Sequence, residues 1–190
     1  MSTKLLLAAV GSAALLLTAA CSNSETAHDH TTTMSESTAE FNDSDVMFLQ
    51  MMYPHHEQAV EMAALVEGRS TNPDIGSLAV DIADAQQPEM DRMTQWLIDW
   101  GQPAPYEMDS DTGHEHGGMM SDEQLASLEA SSGTEFDRQW LTLMIEHHDG
   151  AITSAGTELE HGANTDAKAM AATIIETQQR EIDTMRRLLG

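Results

Sequence analysis

The stretch Met52-Tyr-Pro-His-His-Glu-Gln-Ala59 occurs a second time, 92 residues later, as Met144-Ile-Glu-His-His-Asp-Gly-Ala151. Residues 43–98 align with residues 135–190 at this constant offset and without a gap. Of the 56 aligned residue pairs, 17 are identical. The conserved pairs include His, Met, Gln and Glu as well as apolar residues. A duplication this regular predicts two equivalent helical hairpins that are related by a pseudo-twofold axis.

Helix start and stop signals divide each copy into two helices. Four helix starts are marked. Asn42, Asn72 and Asn164 are expected N-caps, and Asn72 is followed by a proline, Pro73, at the first helical position. Thr134 to Asp137 resembles a capping box. The first helix should end near residue 67, and the second should continue to Trp100 and stop at Gly101. Segments that alternate with period two are almost absent, so strands are not expected. We therefore predict an all-α fold, an antiparallel four-helix bundle made of two duplicated hairpins.

A linker over residues 102–133 joins the two repeats and is rich in Gly, His, Met and Asp. Within it, Ser121 to Gln124 is expected to start a short helix. The bundle domain as a whole is predicted to cover residues 41–190. Pro54 and Pro88 lie inside the predicted helices, where each should kink its helix.

The N-terminal residues are predicted to lie outside the fold. Residues 1–20 have a positive start and an apolar stretch that is too short for a comfortable membrane span, which is typical of a signal peptide. Cys21 follows small residues, as in the lipobox of bacterial lipoproteins, and is the expected lipidation site. Residues 21–40 lack apolar periodicity and read as a disordered tether. Because Cys21 is the only cysteine, internal disulfides and cysteine metal clusters are excluded.

The charge of the chain restricts its partners. With 32 acidic and 8 basic side chains, the formal net charge is −24, which argues against binding to nucleic acid. It also disfavours electrostatic attachment to anionic lipid, so we expect membrane contact only through an N-terminal lipid. A negative protein attracts cations diffusely, so metal ions are expected partners. Formation of a homo-oligomer stays open.

Helical spacing places metal-binding side chains on the inward faces of the four helices. The candidate ligands are two histidine pairs bordered by thioethers: His55, His56, His147 and His148, with Met51, Met52, Met62 and Met144. The second and fourth helices carry residues that could orient the imidazoles: Gln86, Glu89 and Met93, with Gln178, Glu181 and Met185.

Imidazole and thioether together select a soft, nitrogen-tolerant ion. We therefore expect copper, with Cu(I) favoured, while zinc stays open through the histidines. The competing interpretation is a set of buried hydrogen bonds from His to Glu and Gln, because an unsatisfied buried polar group costs roughly 1–3 kcal/mol. A further cluster in the linker is a candidate for accessory metal capture: His114, His116, Met119 and Met120.

These motifs resemble the domain-of-unknown-function family number 305. The resemblance rests on F-x-x-x-M with H-H-x-x-A over residues 48–59 and its counterpart over 140–151, on the two Q-x-E-[MI]-x-x-M runs at 87–93 and 179–185, and on the order of the motifs over about residues 41–190. It implies a ferritin-like four-helix bundle in a bacterial, extracytoplasmic protein, and some members are tied to copper binding and copper resistance. Ser154 departs from the family pattern, which has Met there.

We therefore expect an exported lipoprotein, anchored to the extracytoplasmic face of the bacterial cell membrane, that buffers or sequesters copper without catalysis. One alternative is a dinuclear iron or manganese oxidoreductase on the same bundle, which would need more inward carboxylates than Glu89 and Glu181. A second alternative is a metal-free scaffold for other envelope proteins. Since Met51 and Met62 correspond to Leu143 and Ser154, we expect the first repeat to bind copper more tightly.

Overall fold

The computed structural model describes residues 40–105 and 117–190. Within those residues the secondary structure is helical, with no strand, so the predicted all-α class is confirmed. In chain order the helices are α1 (Asp43–Ala64), α2 (Pro73–Asp99), α3 (Asp122–Ala130), α4 (Gly133–His161) and α5 (Thr165–Leu189). No helix in this part of the chain is long and apolar enough to cross a membrane.

Local capping explains where most of the helices begin. The Asn42 side chain accepts hydrogen bonds from the backbone N–H groups of Ser44 and Asp45, while the Asp45 carboxylate accepts one from the Asn42 N–H at 2.6 Å. This capping box satisfies N–H groups that have no partner inside the helix. The Asn72 and Asn164 side chains also accept hydrogen bonds from backbone N–H groups at the starts of α2 and α5, as predicted, but without a reciprocal capping box.

Two predicted helix limits are wrong. The helix predicted to reach residue 67 ends at Ala64, and the chain then turns through Gly68, whose φ of +78° favours glycine. The third long helix starts at Gly133 rather than at a capping box over 134–137, and its N-cap Ser132 makes no side-chain cap hydrogen bond. A tertiary contact decides this start, because the Gly133 N–H donates to the Arg69 carbonyl at 2.8 Å.

The four long helices pack as two hairpins. Helix α1 packs against α2, α4 packs against α5, and α1 and α4 form the main contact between the hairpins, with a smaller contact between α2 and α5. These are the contacts expected of two duplicated hairpins that share one core. Pro54 and Pro88 both lie inside helices, as predicted, and the kinks that they should cause stay a prediction.

The buried core consists of two apolar clusters. One cluster contains Met62, Trp140, Met144 and Met185, and the other contains Phe48, Met52, Met93 and Leu97. Along each long helix the change from one cluster to the other occurs at buried polar side chains, which lie at 55–56 in α1, 86 in α2, 147–148 in α4 and 178 in α5. The duplicated motif therefore forms a polar layer between two apolar halves of the core.

Several sequence-based predictions fall outside the described residues. They concern the signal peptide over residues 1–20, lipidation at Cys21, the tether over residues 21–39, and the linker histidines His114 and His116. The predicted short helix after Ser121 is present as α3, and Ser121 and Gln124 form its capping box.

Candidate metal centre

The polar layer brings the duplicated histidines and glutamines together in the interior. Its fully buried or nearly buried members come from all four long helices: His55, His56, Gln86, His147, His148, Gln178 and Glu181. Glu89 completes the set with a side chain that is 19% exposed. Polar groups at such depth need partners, since a buried donor or acceptor without one is destabilising. The layer is therefore held either by internal hydrogen bonds or by a ligand.

Two histidines are oriented by carboxylates in equivalent positions of the repeat. His56 Nε2 lies 2.8 Å from Glu89 Oε2, and His148 Nε2 lies 2.7 Å from Glu181 Oε2. A carboxylate oxygen accepts, so each Nε2 carries the proton in this arrangement. In a neutral ring the lone pair then lies on Nδ1, which is the usual arrangement when a carboxylate supports a metal-binding imidazole.

The other two histidines meet at the interface between the hairpins. The ring centroids of His55 and His147 are 3.8 Å apart, and the rings are inclined by 46°. The pKa of His147 is held well below its usual value, chiefly by burial and then by charge repulsion from His55, His148 and His56. At neutral pH His147 is therefore uncharged, which is the form in which an imidazole binds a metal ion.

Several polar atoms of the layer have no hydrogen-bond partner among the described residues. They include Nδ1 of His56 and of His148, and the side-chain oxygen and nitrogen of Gln86 and of Gln178. Buried atoms of this kind ordinarily contact a water or an ion. The internal hydrogen bonds from His to Glu thus account for only part of the polar atoms in the layer.

A cavity of about 560 Å³ reaches the layer from the surface between α1 and α4. Its α1 wall includes Met47, Phe48, Met51, Met52 and His55. Its α4 wall includes the acidic side chains Glu146, Asp149 and Glu158. The cavity therefore connects thioether and imidazole side chains to the solvent and places the carboxyl side chains of α4 opposite them.

The linker segment 117–120 contacts both repeats, and its Gly117 and Gly118 form part of the cavity wall. Gln58 in α1 donates to the Met120 carbonyl at 2.9 Å and accepts from the Met120 N–H at 2.7 Å. The equivalent position in α4 is Gly150, where an added Cβ would collide with the carbonyl of Gly117 and approach the Gly118 Cα to 2.7 Å. Equivalent positions thus contact the linker by hydrogen bonding in one repeat and by close packing in the other.

A buried pair of carboxyl groups lies at the α1 N-terminal end of the core. Burial and the neighbouring Asp45 raise the pKa of Glu158 to about 8. Burial also acts to raise the pKa of Asp45, but the hydrogen bond from Glu158 and backbone N–H donors outweigh it and lower that pKa. Asp45 therefore carries the charge, which the N–H groups of Ala163 and Asn164 stabilise, and Glu158 keeps its proton at neutral pH.

The structure brings together most, but not all, of the predicted site residues. Met51 and Met52 share the cavity with His55. Met62, Met144 and Met185 lie in the opposite apolar cluster from Met52 and Met93. Among residues 40–105 and 117–190, no three His, Cys, Asp or Glu side chains are arranged to hold an ion. The four histidines are therefore not placed as one ready-made set of ligands, and the predicted site stays a prediction.

The accessory cluster is described only in part. Met120 is buried in the apolar cluster around Trp140, and its backbone pairs with Gln58, while Met119 is half-buried. Met120 therefore serves packing in this structure, and its proposed role in capturing metal is not tested.

Some residues of the site were not predicted from the sequence. Met47 lines the cavity, and its spacing of four residues from Met51 and eight from His55 was a usable signal. The linker contacts of Gln58 and Gly150 and the pairing of Asp45 with Glu158 had no such signal, because each depends on contacts across a long separation in sequence.

Comparison with known proteins identifies the family. The family model of the domain of unknown function DUF305 matches residues 45–189. A search of curated proteins found none that matches the chain.

Solved structures give the same result. A DUF305 protein of Streptomyces coelicolor that is predicted to be secreted shares 32% identity, with 77% of this chain and 91% of that chain covered and a TM-score of 0.71. A DUF305 fragment from Deinococcus radiodurans shares 37% identity, with coverages of 78% and 97% and a TM-score of 0.71. CopM in its Cu(II)-bound form shares 29% identity, with coverages of 76% and 95% and a TM-score of 0.67. CopM has also been solved with Cu(I) and with silver.

Proposed function

The chain belongs to the DUF305 family, and from this premise we propose that it binds copper in its polar core layer and buffers or sequesters the ion outside the cell membrane. The similarity to CopM, a relative solved with Cu(II), Cu(I) and silver, supports binding of a soft metal ion. We favour Cu(I) because the layer and its cavity combine imidazole nitrogen with thioether sulfur. The alternative is that the site binds zinc, through the histidines alone.

The observation that carries this proposal is the set of buried nitrogen atoms without partners. His56 and His148 each use Nε2 for a glutamate and leave Nδ1 buried, without a hydrogen bond to the described residues. A duplicated hydrogen-bond network alone would leave these atoms unsatisfied at a cost of roughly 1–3 kcal/mol each. A bound ion would turn that cost into a favourable interaction.

We assign roles by position in the layer. Nitrogen donors come from His55, His56, His147 and His148, and Glu89 and Glu181 orient the imidazoles that they contact. Sulfur donors come from the thioethers within one helical turn of a histidine pair, namely Met51, Met52 and Met144. Met62 lies about two turns beyond His55 in α1, so we assign it a packing role in addition to a weaker role as a sulfur donor.

The proposed location follows from the N-terminal sequence. A signal peptide over residues 1–20 and lipidation at Cys21 would hold the protein at the extracytoplasmic face of the membrane, while the tether leaves the helical domain free. Predicted secretion of the Streptomyces relative supports export. Membrane fractionation of the wild type and of Cys21→Ser tests this location. We expect both proteins to be exported and only the wild type to be bound to the membrane.

The decisive experiment measures copper binding by competition. The purified protein is titrated with Cu(I) against a chromogenic chelator, alongside a variant with His55 and His147 both changed to alanine. We expect the wild type to compete and the variant to lose affinity at least about 100-fold, equivalent to about 2.7 kcal/mol. The matched control is His161→Ala, since that imidazole is 64% exposed and lies outside the layer.

Circular dichroism must show that the double variant keeps its helices. Equal binding by wild type and double variant would refute the assigned role of His55 and His147, and equal binding by a further variant with His56 and His148 changed to alanine would refute copper binding at this layer. Iron retained through purification, together with oxygen consumption, would favour the oxidoreductase alternative. Absence of binding for every metal tested would favour the metal-free scaffold.

A further inference from the structure

The α1 wall of the cavity carries a row of soft donors that runs from the solvent to the polar layer. Met47, Met51 and His55 are spaced four residues apart, so they lie on one face of α1 at steps of about 6 Å along the helix axis. All three line the cavity of about 560 Å³. Met47 is 54% exposed and stands at the outer end of the row.

We propose that Met47 is the outer thioether of an access route by which Cu(I) moves along α1, through Met51, to the imidazole of His55. The inference rests on the proposed copper function and adds to it a direction and a residue for loading. Side chains four residues apart on a helix are neighbours, so one donor can engage the ion before the previous donor releases it. The ion therefore does not have to return to water between steps.

The opposite wall of the cavity also favours entry of a cation. Glu146 and Asp149 of α4 line the cavity, and carboxylates grouped in a cleft raise the local concentration of cations. Thioethers then select a soft cation from those attracted. The carboxylates therefore attract cations to the cavity, and the thioethers bind the soft ones preferentially.

The repeat confines this route to one side of the core. The residues of α4 that correspond to Met47 and Met51 are Gln139 and Leu143, which have no thioether. Leu143 is buried in the apolar cluster around Trp140 rather than facing a path to the solvent. The second histidine pair would therefore be loaded through His55, whose ring lies against that of His147.

The test separates the rate of loading from the strength of binding. Stopped-flow transfer of Cu(I) from a chromogenic chelator is measured for the wild type, Met47→Leu and the matched control Met170→Leu, which removes a half-buried thioether that does not line the cavity. Leucine conserves the volume of methionine, so both variants should fold. We expect Met47→Leu to slow transfer roughly tenfold, within the range over which association rates vary among variants of one site. The equilibrium affinity should stay within about twofold, because release slows by the same factor.

A second variant blocks the cavity and leaves Met47 in place. Thr153→Trp introduces a large ring from the α4 wall and should also slow transfer without weakening equilibrium binding. An unchanged rate for Met47→Leu, with wild-type affinity, would overturn the access route and leave the copper function intact. A loss of affinity without a change in rate would also overturn it, since Met47 would then be a ligand of the resting ion. Failure of the wild type to take up Cu(I) would overturn both proposals.

Discussion

The two repeats have kept one feature of the core and lost most of what surrounds it. In both, a histidine donates to a glutamate 33 residues later, at 2.8 Å for His56 and 2.7 Å for His148. The flanking positions differ, because the first repeat has Met51 where the second has Leu143. The shared hydrogen bonds define a symmetric centre, while only the first repeat supplies the thioether wall of the cavity.

This difference indicates which positions respond to a constraint common to both copies. A buried imidazole needs a fixed partner, so the His–Glu pairs are retained in both repeats. The surroundings differ between the repeats: thioethers line the cavity only from the first repeat, and the linker forms hydrogen bonds with Gln58 but packs closely against Gly150.

Substitution of Gly150 should have the largest effect on stability. In Gly150→Ala the added methyl group would collide with the backbone of Gly117 and Gly118, which cannot move like a flexible side chain. We expect a loss of about 3 kcal/mol in the free energy of unfolding, at the upper end for overpacking. The control is Gly156→Ala in the same helix, which meets no atom within 4 Å and should stabilise the protein by up to about 1 kcal/mol. Urea unfolding measures both, and similar values for the two variants would contradict the packing argument.

Removal of either orienting carboxylate should weaken copper binding by a similar factor. Glu89→Ala and Glu181→Ala each leave a histidine without its partner, and loss of such a partner typically lowers metal affinity about 10–100-fold. Glu176→Ala removes a 76% exposed carboxylate from α5 and should have no effect. Chelator competition measures all three. If only one of the two pairs matters, the ion is held by one repeat and the centre is not symmetric.

Removal of individual thioethers should reveal the asymmetry. Met51→Leu removes sulfur from the cavity beside His55, and we expect about a tenfold loss of Cu(I) affinity, equivalent to about 1.4 kcal/mol. Met62→Leu changes a residue in the opposite apolar cluster and should cost less than half as much free energy of binding. Equal losses in chelator competition would show that the cavity does not distinguish the two thioethers.

The carboxyl pair at one end of the core should give a small pH effect. The folded pKa of Glu158 is raised from 4.5 to about 8, so the folded state retains this proton more strongly than the unfolded chain does. The stability of the wild type should therefore fall, relative to Glu158→Gln, as the pH rises from about 4.5 to about 8, and the difference should be constant above that. After allowance for screening we expect a change on the order of 1 kcal/mol.

Thermal unfolding across this pH range checks the prediction, with Glu160→Gln, at a 78% exposed side chain, as the control. If the wild type instead gained stability relative to Glu158→Gln as the pH rises, the sign would be wrong and the proton could not be assigned to Glu158. The other end of the core offers a comparison, because the position equivalent to Glu158 is occupied by the buried Val66.

Much of the fold was readable from local signals. Asn42, Asn72 and Asn164 marked three helix starts correctly, since the energy of a cap depends on a few adjacent atoms. The start of α4 was misplaced, because it depends on a hydrogen bond from Gly133 to Arg69 that no local pattern encodes.

For the candidate site, the sequence predicted which residues are buried but not which of them contact each other. Helical spacing correctly predicted that the two histidine pairs, Gln86 and Gln178 lie in the interior, since 3.6 residues per turn fixes which side chains share a face. It could not distinguish histidines bound to glutamate from those that face each other. That distinction depends on the distance and orientation of separate helices.

By itself the sequence determined the all-α class, the duplication and the inward direction of the duplicated polar residues, because periodicity and capping act within a few residues of the chain. Only the tertiary structure decided that His55 meets His147, that Gln58 and Gly150 hold the same linker segment, and that the thioethers of α1 line a cavity. These features arise from contacts between helices, whose relative positions follow from the packing of the whole core.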